Sequence, residues 1–190
     1  MTYLFFDTET TGLPRDYNAP ASDVNNWPRM IQIGWILSDE QGNRIDTAEF
    51  IIKPNGFIIP IAASNVHGIT TERAINEGVD LDEVLAQFSA IINDADVIVA
   101  HNISFDEKII GAEFIRRDIE NIFDKKPKLC TMKSSTDYCQ ISGRFGFKWP
   151  KLSELHITLF DEDFEGAHDA FADIEATERC FFELKKRGVM

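Results

Sequence analysis

Asp7 and Glu9 stand two residues apart, directly after the apolar run Leu4-Phe5-Phe6. In an extended segment, side chains two apart point to one face, so both carboxylates can reach one ion. A third acid, Asp106, follows the short apolar stretch Val97 to Ala100 and the pair His101-Asn102. Near the end of the chain come His168 and Asp173. On a helix, residues five apart are separated by about 140°, so these two cannot converge if both are helical. His168 is therefore expected before or at the helix start, in the Glu165-Gly166-Ala167 turn, with Asp173 one turn inside. Such a set could bind hard cations and supply an imidazole to take a proton. Each piece alone also has an ordinary explanation: a solvated strand end, an acid favoured by a helix dipole, a loop histidine.

The elements that must position these groups can be read from periodicity. Tyr3 to Phe6 is continuous and apolar, as in a strand buried on both faces. Met30 to Leu37 and Ala48 to Lys53 look like two more strands, joined through the turn residues Asp39 to Asn43. Pro54 to Thr70 reads as loop. Asp80 with Glu83 predicts a helix cap, followed by Leu81, Val84, Leu85, Phe88, Ile91 and Ile92 at helical spacing. Val97 to Ala100 is a short buried strand. Ser104 and Glu107 predict a capping box opening the helix that carries Asp106. A last helix is expected from about Asp169 to Lys186, with Phe171, Ile174, Phe181 and Leu184 on its apolar side and Gly188 ending it. Strands, a helix, another strand and more helices imply an α/β domain with a mixed central β-sheet flanked by α-helices.

The bulk properties bound this reading. The 190 residues suit one domain, 1–190, with a substantial core, and 44% hydrophobic residues with 15 Phe are globular values. No apolar run approaches the roughly 20 residues that span a bilayer, and no secretory pattern opens the chain. Cys130, Cys139 and Cys180 form no CxxC pair and read as reduced thiols in a cytoplasmic protein. Net charge is −13, which excludes broad electrostatic coating of nucleic acid. Activity on nucleic acid must then rest on a local site where bound cations reverse the sign.

Taken together, the stretches Asp7-Thr8-Glu9-Thr10-Thr11-Gly12-Leu13, His101-Asn102-x-x-Phe105-Asp106 and His168-x-Ala170-x-x-Asp173 resemble the three motifs of the DnaQ-like DEDDh 3′–5′ exonucleases. His67-Gly68-Ile69-Thr70 is similar to the family's His-Gly-Ile segment, and Trp149-Pro150-Lys151-Leu152 also fits. The related subfamily with tyrosine one turn before the last Asp is excluded, because position 169 is Asp. The resemblance covers nearly the whole chain. It implies a ribonuclease-H-like fold and release of nucleoside 5′-monophosphates from 3′ ends by a two-metal mechanism. By the same resemblance, Asp7, Glu9 and Asp173 hold one cation, Asp7 bridges to a second, and Asp106 supports that second site. Oxygen-only ligands suit two Mg²⁺, or Mn²⁺, roughly 3.5–4 Å apart. His168 is the implied general base, and Thr10, Leu13, His67, Asn102 and Phe105 the implied walls for the terminal nucleotide.

The implied partners are single-stranded or frayed 3′ ends of DNA and a DNA polymerase. RNA ends are the nearest alternative, and a non-catalytic binding subunit is the alternative of another class. Oligomeric state stays open. Compact family members have a shorter connection where this chain has Pro14 to Arg29. That segment is expected either to overhang the site and select substrate or to pack as a surface loop. His101 and His156 are expected to be structural. Lys125, Lys126, Lys128 and Lys133, and Arg144 with Lys148 and Lys151, could track a phosphate backbone or be solvated faces. His156 to Phe160 loosely matches a sliding-clamp-binding pentapeptide, but Leu152, Leu155 and Leu159 read as a core stripe.

Overall fold

The computed structural model describes residues 1–166 and 169–190. In chain order its elements are β1 (Thr2–Thr10), β2 (Met30–Asp39), β3 (Arg44–Ile51), α1 (Ile61–His67), α2 (Thr71–Glu77), α3 (Leu81–Asp94), β4 (Val97–Ala100) and α4 (Ile103–Arg116). A 3₁₀ turn at Phe123–Lys125 leads to β5 (Lys128–Cys130), α5 (Thr131–Ser134), α6 (Thr136–Cys139), β6 (Ser142–Gly143), β7 (Gly146–Phe147), α7 (Leu152–Phe160) and α8 (Ala170–Lys186). The main sheet has the order β3-β2-β1-β4-β5. β1 and β2, and β2 and β3, run antiparallel, whereas β4 pairs parallel with both β1 and β5. This is the mixed sheet expected, and the fold is ribonuclease-H-like.

Both sheet faces are covered, which explains the uninterrupted apolar sequence of β1. Its even residues, Leu4 and Phe6, join α3 and α4 through Phe88, Leu85, Ile109 and Phe114 in the larger core. Its odd residues, Tyr3 and Phe5, pack on Ile174 and Phe181 of α8. The Phe181 ring centroid lies 4.8 Å from that of Tyr3 and 5.2 Å from that of Phe5. Gly34 of β2, in register with Asp7, makes room for this helix. A Cβ at Gly34 would stand 2.7 Å from Ile174 Cδ1.

Several boundaries differ from the sequence expectation, each for a tertiary reason. β1 continues beyond Phe6 to Thr10 because β2 pairs along its whole length. Asp7 and Glu9 therefore sit inside a strand. Pro54 to Thr70 contains α1, capped at its end by left-handed Gly68. The predicted capping box of Ser104 and Glu107 does not form. Asn102 is the N-cap, in left-handed geometry with φ 62°, and Glu107 instead pairs with Lys128 at 2.6 Å. The helix begins two residues earlier than the pattern suggested, and Asp106 remains in its first turn. At α8 the expectation holds: Asp169 caps the helix by accepting from Ala172 N–H. Among the described residues no helix is long and apolar enough to cross a membrane.

Candidate active site

β1 is paired on one edge by β4 only from Tyr3 to Phe5. Past that point the edge is open, and the first turn of α4 fills it. Asp106 Oδ1 accepts from the Thr8 backbone N–H at 3.2 Å and from the Thr8 hydroxyl at 2.7 Å. Asp106 is thus held by the strand residue between Asp7 and Glu9. From the opposite face of the sheet, α8 delivers Asp173. Carboxylate oxygens of Asp7, Glu9 and Asp173 all lie within 4.8 Å of one another. Period-two alternation brings Asp7 and Glu9 together, and helix packing adds the third.

Electrostatics describe this convergence as costly for the bare protein. Burial, then the charges of Asp106, Asp173 and Glu9, hold the Asp7 carboxyl well above the usual carboxylate range. Burial and the neighbouring acids, Asp173 foremost, push Glu9 up to about 8. Asp106 is pushed up to about 7 by burial, although the Thr8 donors pull the other way. Carboxylates in such a place are stabilised when a cation joins them. An oxygen-only donor set of this kind fits a hard divalent ion such as Mg²⁺ or Mn²⁺.

Beside the acids lies a cavity of about 370 Å³, walled by Glu9, Thr10, Leu13, Pro60, Ala63, Val66 and His67 among others. Leu13 is 73% exposed, so it is free to cover a flat ligand. The Thr10 hydroxyl closes the turn by donating to the Gly12 carbonyl at 2.7 Å. His67 Nδ1 accepts from Ile69 N–H at 3.1 Å, which puts the ring proton on Nε2. That Nε2 is buried with no hydrogen-bond partner among the described residues. Of the expected wall residues, the structure brings Thr10, Leu13 and His67 together. Asn102 and Phe105 do not line this cavity. Asn102 Oδ1 accepts from the Ser104 hydroxyl, and half-buried Phe105 packs on the core and edge-on to Trp27. His168 lies outside the described residues.

Sequence reading missed Thr8, whose only signal was its place between two acids, and α1, whose Ala63 and Val66 wall the cavity. The remaining histidines are structural, as expected. His101 Nε2 donates to the Pro150 carbonyl at 3.0 Å and Nδ1 meets the Thr131 hydroxyl at 3.0 Å; burial lowers its pKa to about 4. His156 is buried between the Glu162 carbonyl and Arg179. Leu155 and Leu159 sit in the core with Cys180 and Leu184, so that stripe is core. Pro14 to Arg29 packs against α4. None of it lines the cavity, Trp27 is buried, and Arg116 holds the Val24 and Trp27 carbonyls. All three cysteines are free.

Comparison with known proteins agrees with this geometry. The exonuclease family RNase_T matches residues 4–181. The chain belongs to that exonuclease family. Among its relatives is a PolC-type DNA polymerase III of Pediococcus pentosaceus, 29% identical over 96% of this chain and 11% of the polymerase. Another, from Mycoplasmopsis pulmonis, is 33% identical over 98% of this chain and 12% of the polymerase. The exonuclease chain thus spans about a tenth of these relatives' length. In fold it is similar to E. coli exonuclease I in complex with a dT13 oligonucleotide, with TM-score 0.76 and 22% identity over 98% of this chain and 41% of that one. The family resemblance carried by the three motifs is borne out.

Proposed function

We propose that this exonuclease-family chain is a single domain that removes nucleoside 5′-monophosphates one at a time from DNA 3′ ends. The observation that carries the reading is the convergence of Asp7, Glu9 and Asp173 within 4.8 Å, with Asp106 fastened to the strand between the first two. DNA is favoured over RNA because the relatives are DNA polymerases by name and the similar solved structure holds dT13. The same relatives support a polymerase context, in replication or repair, and three free thiols suit the cytoplasm.

Asp7, Glu9 and Asp173 would hold one Mg²⁺ or Mn²⁺, and Asp7 with Asp106 a second. Bound there, the cations supply charge stabilisation at the attacking and leaving oxygens of an in-line displacement at phosphorus. The protein's own groups do the rest. Thr8 fixes the Asp106 carboxylate in one orientation. His67 lines the cavity, and its Nε2–H, without a partner among the described residues, can hold an oxygen of the terminal nucleotide. Leu13 and Val66 give apolar cover to a base of any identity, a contact tolerant of sequence. His168, five residues before Asp173 in sequence, takes the proton of the attacking water.

The test is incubation with Mg²⁺ and 5′-labelled single-stranded DNA and RNA of one sequence, beside Asp7→Ala and His168→Ala. A one-nucleotide ladder from the 3′ end, faster on DNA and lost in both variants, is expected. A faster RNA ladder would reassign the substrate, and no shortening of either strand with Mg²⁺ or Mn²⁺ would leave only a binding subunit.

A further inference from the structure

The β6–β7 hairpin has a surface unlike the rest of this acidic chain. No acid occurs between Asp137 and Glu154, while Arg144, Lys148 and Lys151 all fall there. The same stretch places Phe145, Phe147 and Trp149 in solvent, at 92%, 50% and 61% exposure. A solvated charged face explains the cations but not the aromatic rings, which are ordinarily buried. Cations and rings are moreover interleaved in space. The Arg144 guanidinium lies over the Phe145 ring at 5.1 Å, and the Lys133 ammonium faces the Trp149 ring at 5.8 Å.

The hairpin is also tied to the acid cluster through its base. The Pro150 carbonyl, directly after Trp149, accepts from His101 Nε2. His101 precedes Asn102, the N-cap of the helix that carries Asp106 in its first turn. Lys148 reaches Glu154 of α7 at 2.5 Å, and Glu154 accepts from Lys151 N–H, so the segment leaving β7 is fastened to the start of α7. A ligand lying on these rings is thus held at a fixed offset from the carboxylates.

We propose that the β6–β7 hairpin is a stacking platform for single-stranded nucleic acid, taking the strand 5′-ward of the end held in the active site. The exposed rings stack on bases, and Arg144, Lys133 and Lys151 meet phosphates. Charge complementarity commits the surface to this occupant: a cationic, aromatic patch on a protein of net charge −13 attracts a polyanion with flat rings. The placement rests on the exonuclease reading, because that reading puts the 3′ end among the acids.

The test is fluorescence anisotropy with Mg²⁺, every protein carrying Asp7→Asn so that the strand survives. Probes are 5′-fluorescein oligothymidylates of about 4 and about 16 nucleotides, the span of single-strand sites. Phe145→Ala with Trp149→Ala is expected to weaken binding of the long probe by about tenfold or more and leave the short probe within about twofold. Because both rings are exposed the fold should persist, which circular dichroism checks. Arg144→Glu with Lys151→Glu should weaken the long probe similarly and flatten its salt dependence. Equal affinity of parent and variants for the long probe would overturn the proposal and leave the patch to a protein partner. The two readings fail separately. A ladder from the unmodified protein with hairpin-independent binding sinks only the platform, whereas hairpin-dependent binding without a ladder sinks only the exonuclease reading.

Discussion

The helix α4 buries two acids and resolves them in opposite ways. Glu113, in its second half, is fully buried, and its Oε1 accepts from Arg29 at 2.9 Å, Arg116 at 2.9 Å and the Met30 N–H at 3.0 Å. Asp106, in its first turn, is nearly as buried but shares its surroundings with Asp7 and Asp173. One acid is neutralised by arginines from the same fold and locks the Pro14 to Arg29 segment in place. The other is left among like charges. A buried carboxylate with its cations built in is a structural device. A buried carboxylate that stands beside further acids marks a place where a cation from solution is favoured.

The largest effect expected from this contrast is on activity. Asp7→Asn should lower turnover by at least about a thousandfold, since several kcal/mol of transition-state stabilisation depend on the cations it would hold. The same variant should unfold at a higher temperature than the parent in EDTA at pH 8, because it relieves repulsion. A lower melting temperature there would mean the cluster is not strained. Glu113→Gln is the opposite case. It should lose about 2 kcal/mol by leaving two half-buried arginines short of a counter-charge, read as a drop in urea midpoint. Its turnover per folded molecule should stay within a fewfold of the parent.

The pH dependence sharpens the comparison. Glu9 and Asp106 release protons near 8 and 7 in the folded chain and near 4 when unfolded. Between those limits the native state binds more protons, so the metal-free protein loses stability as pH rises from about 4 to about 8. Thermal melts in EDTA should fall by roughly 5 °C or more across that window, and Mg²⁺ should restore most of the loss at pH 8. A melting temperature that climbs over this range would contradict the assignment. The smallest effect is at Thr8. Thr8→Val removes one of two donors to Asp106, which should cost about 1 kcal/mol and reduce turnover by about tenfold while binding of the 3′ end is little changed. A change in KM alone would place Thr8 outside the machinery.

Much of the site was legible because it rests on local rules. The two-residue spacing of Asp7 and Glu9, the start of the last helix at about Asp169 and the apolar stripe of α8 are properties of neighbouring residues, and all three survive in the fold. The failures lie where tertiary contacts outweighed local chemistry. Ser104 and Glu107 have the pattern of a capping box, yet Lys128 takes Glu107 and the helix starts at Ile103. Which surface Phe105 presents is likewise a tertiary matter: half-buried, it packs edge-on to Trp27 and against the core.

The sequence by itself determined which acids make up the cluster, their order along the chain and the α/β class, because strand alternation and helix period are fixed within a few residues. Only the tertiary structure decided which groups meet. Asp173 reaches Asp7 because Tyr3 and Phe5 pack against Ile174 and Phe181, with Gly34 leaving room for the helix. Asp106 arrives because β4 stops pairing at Phe5 and opens the strand edge. The exposure of Phe145 and Trp149 was likewise invisible beforehand, since an aromatic residue in a sequence is as consistent with a core as with a surface. Burial is a property of the whole packed chain, and no local pattern contains it.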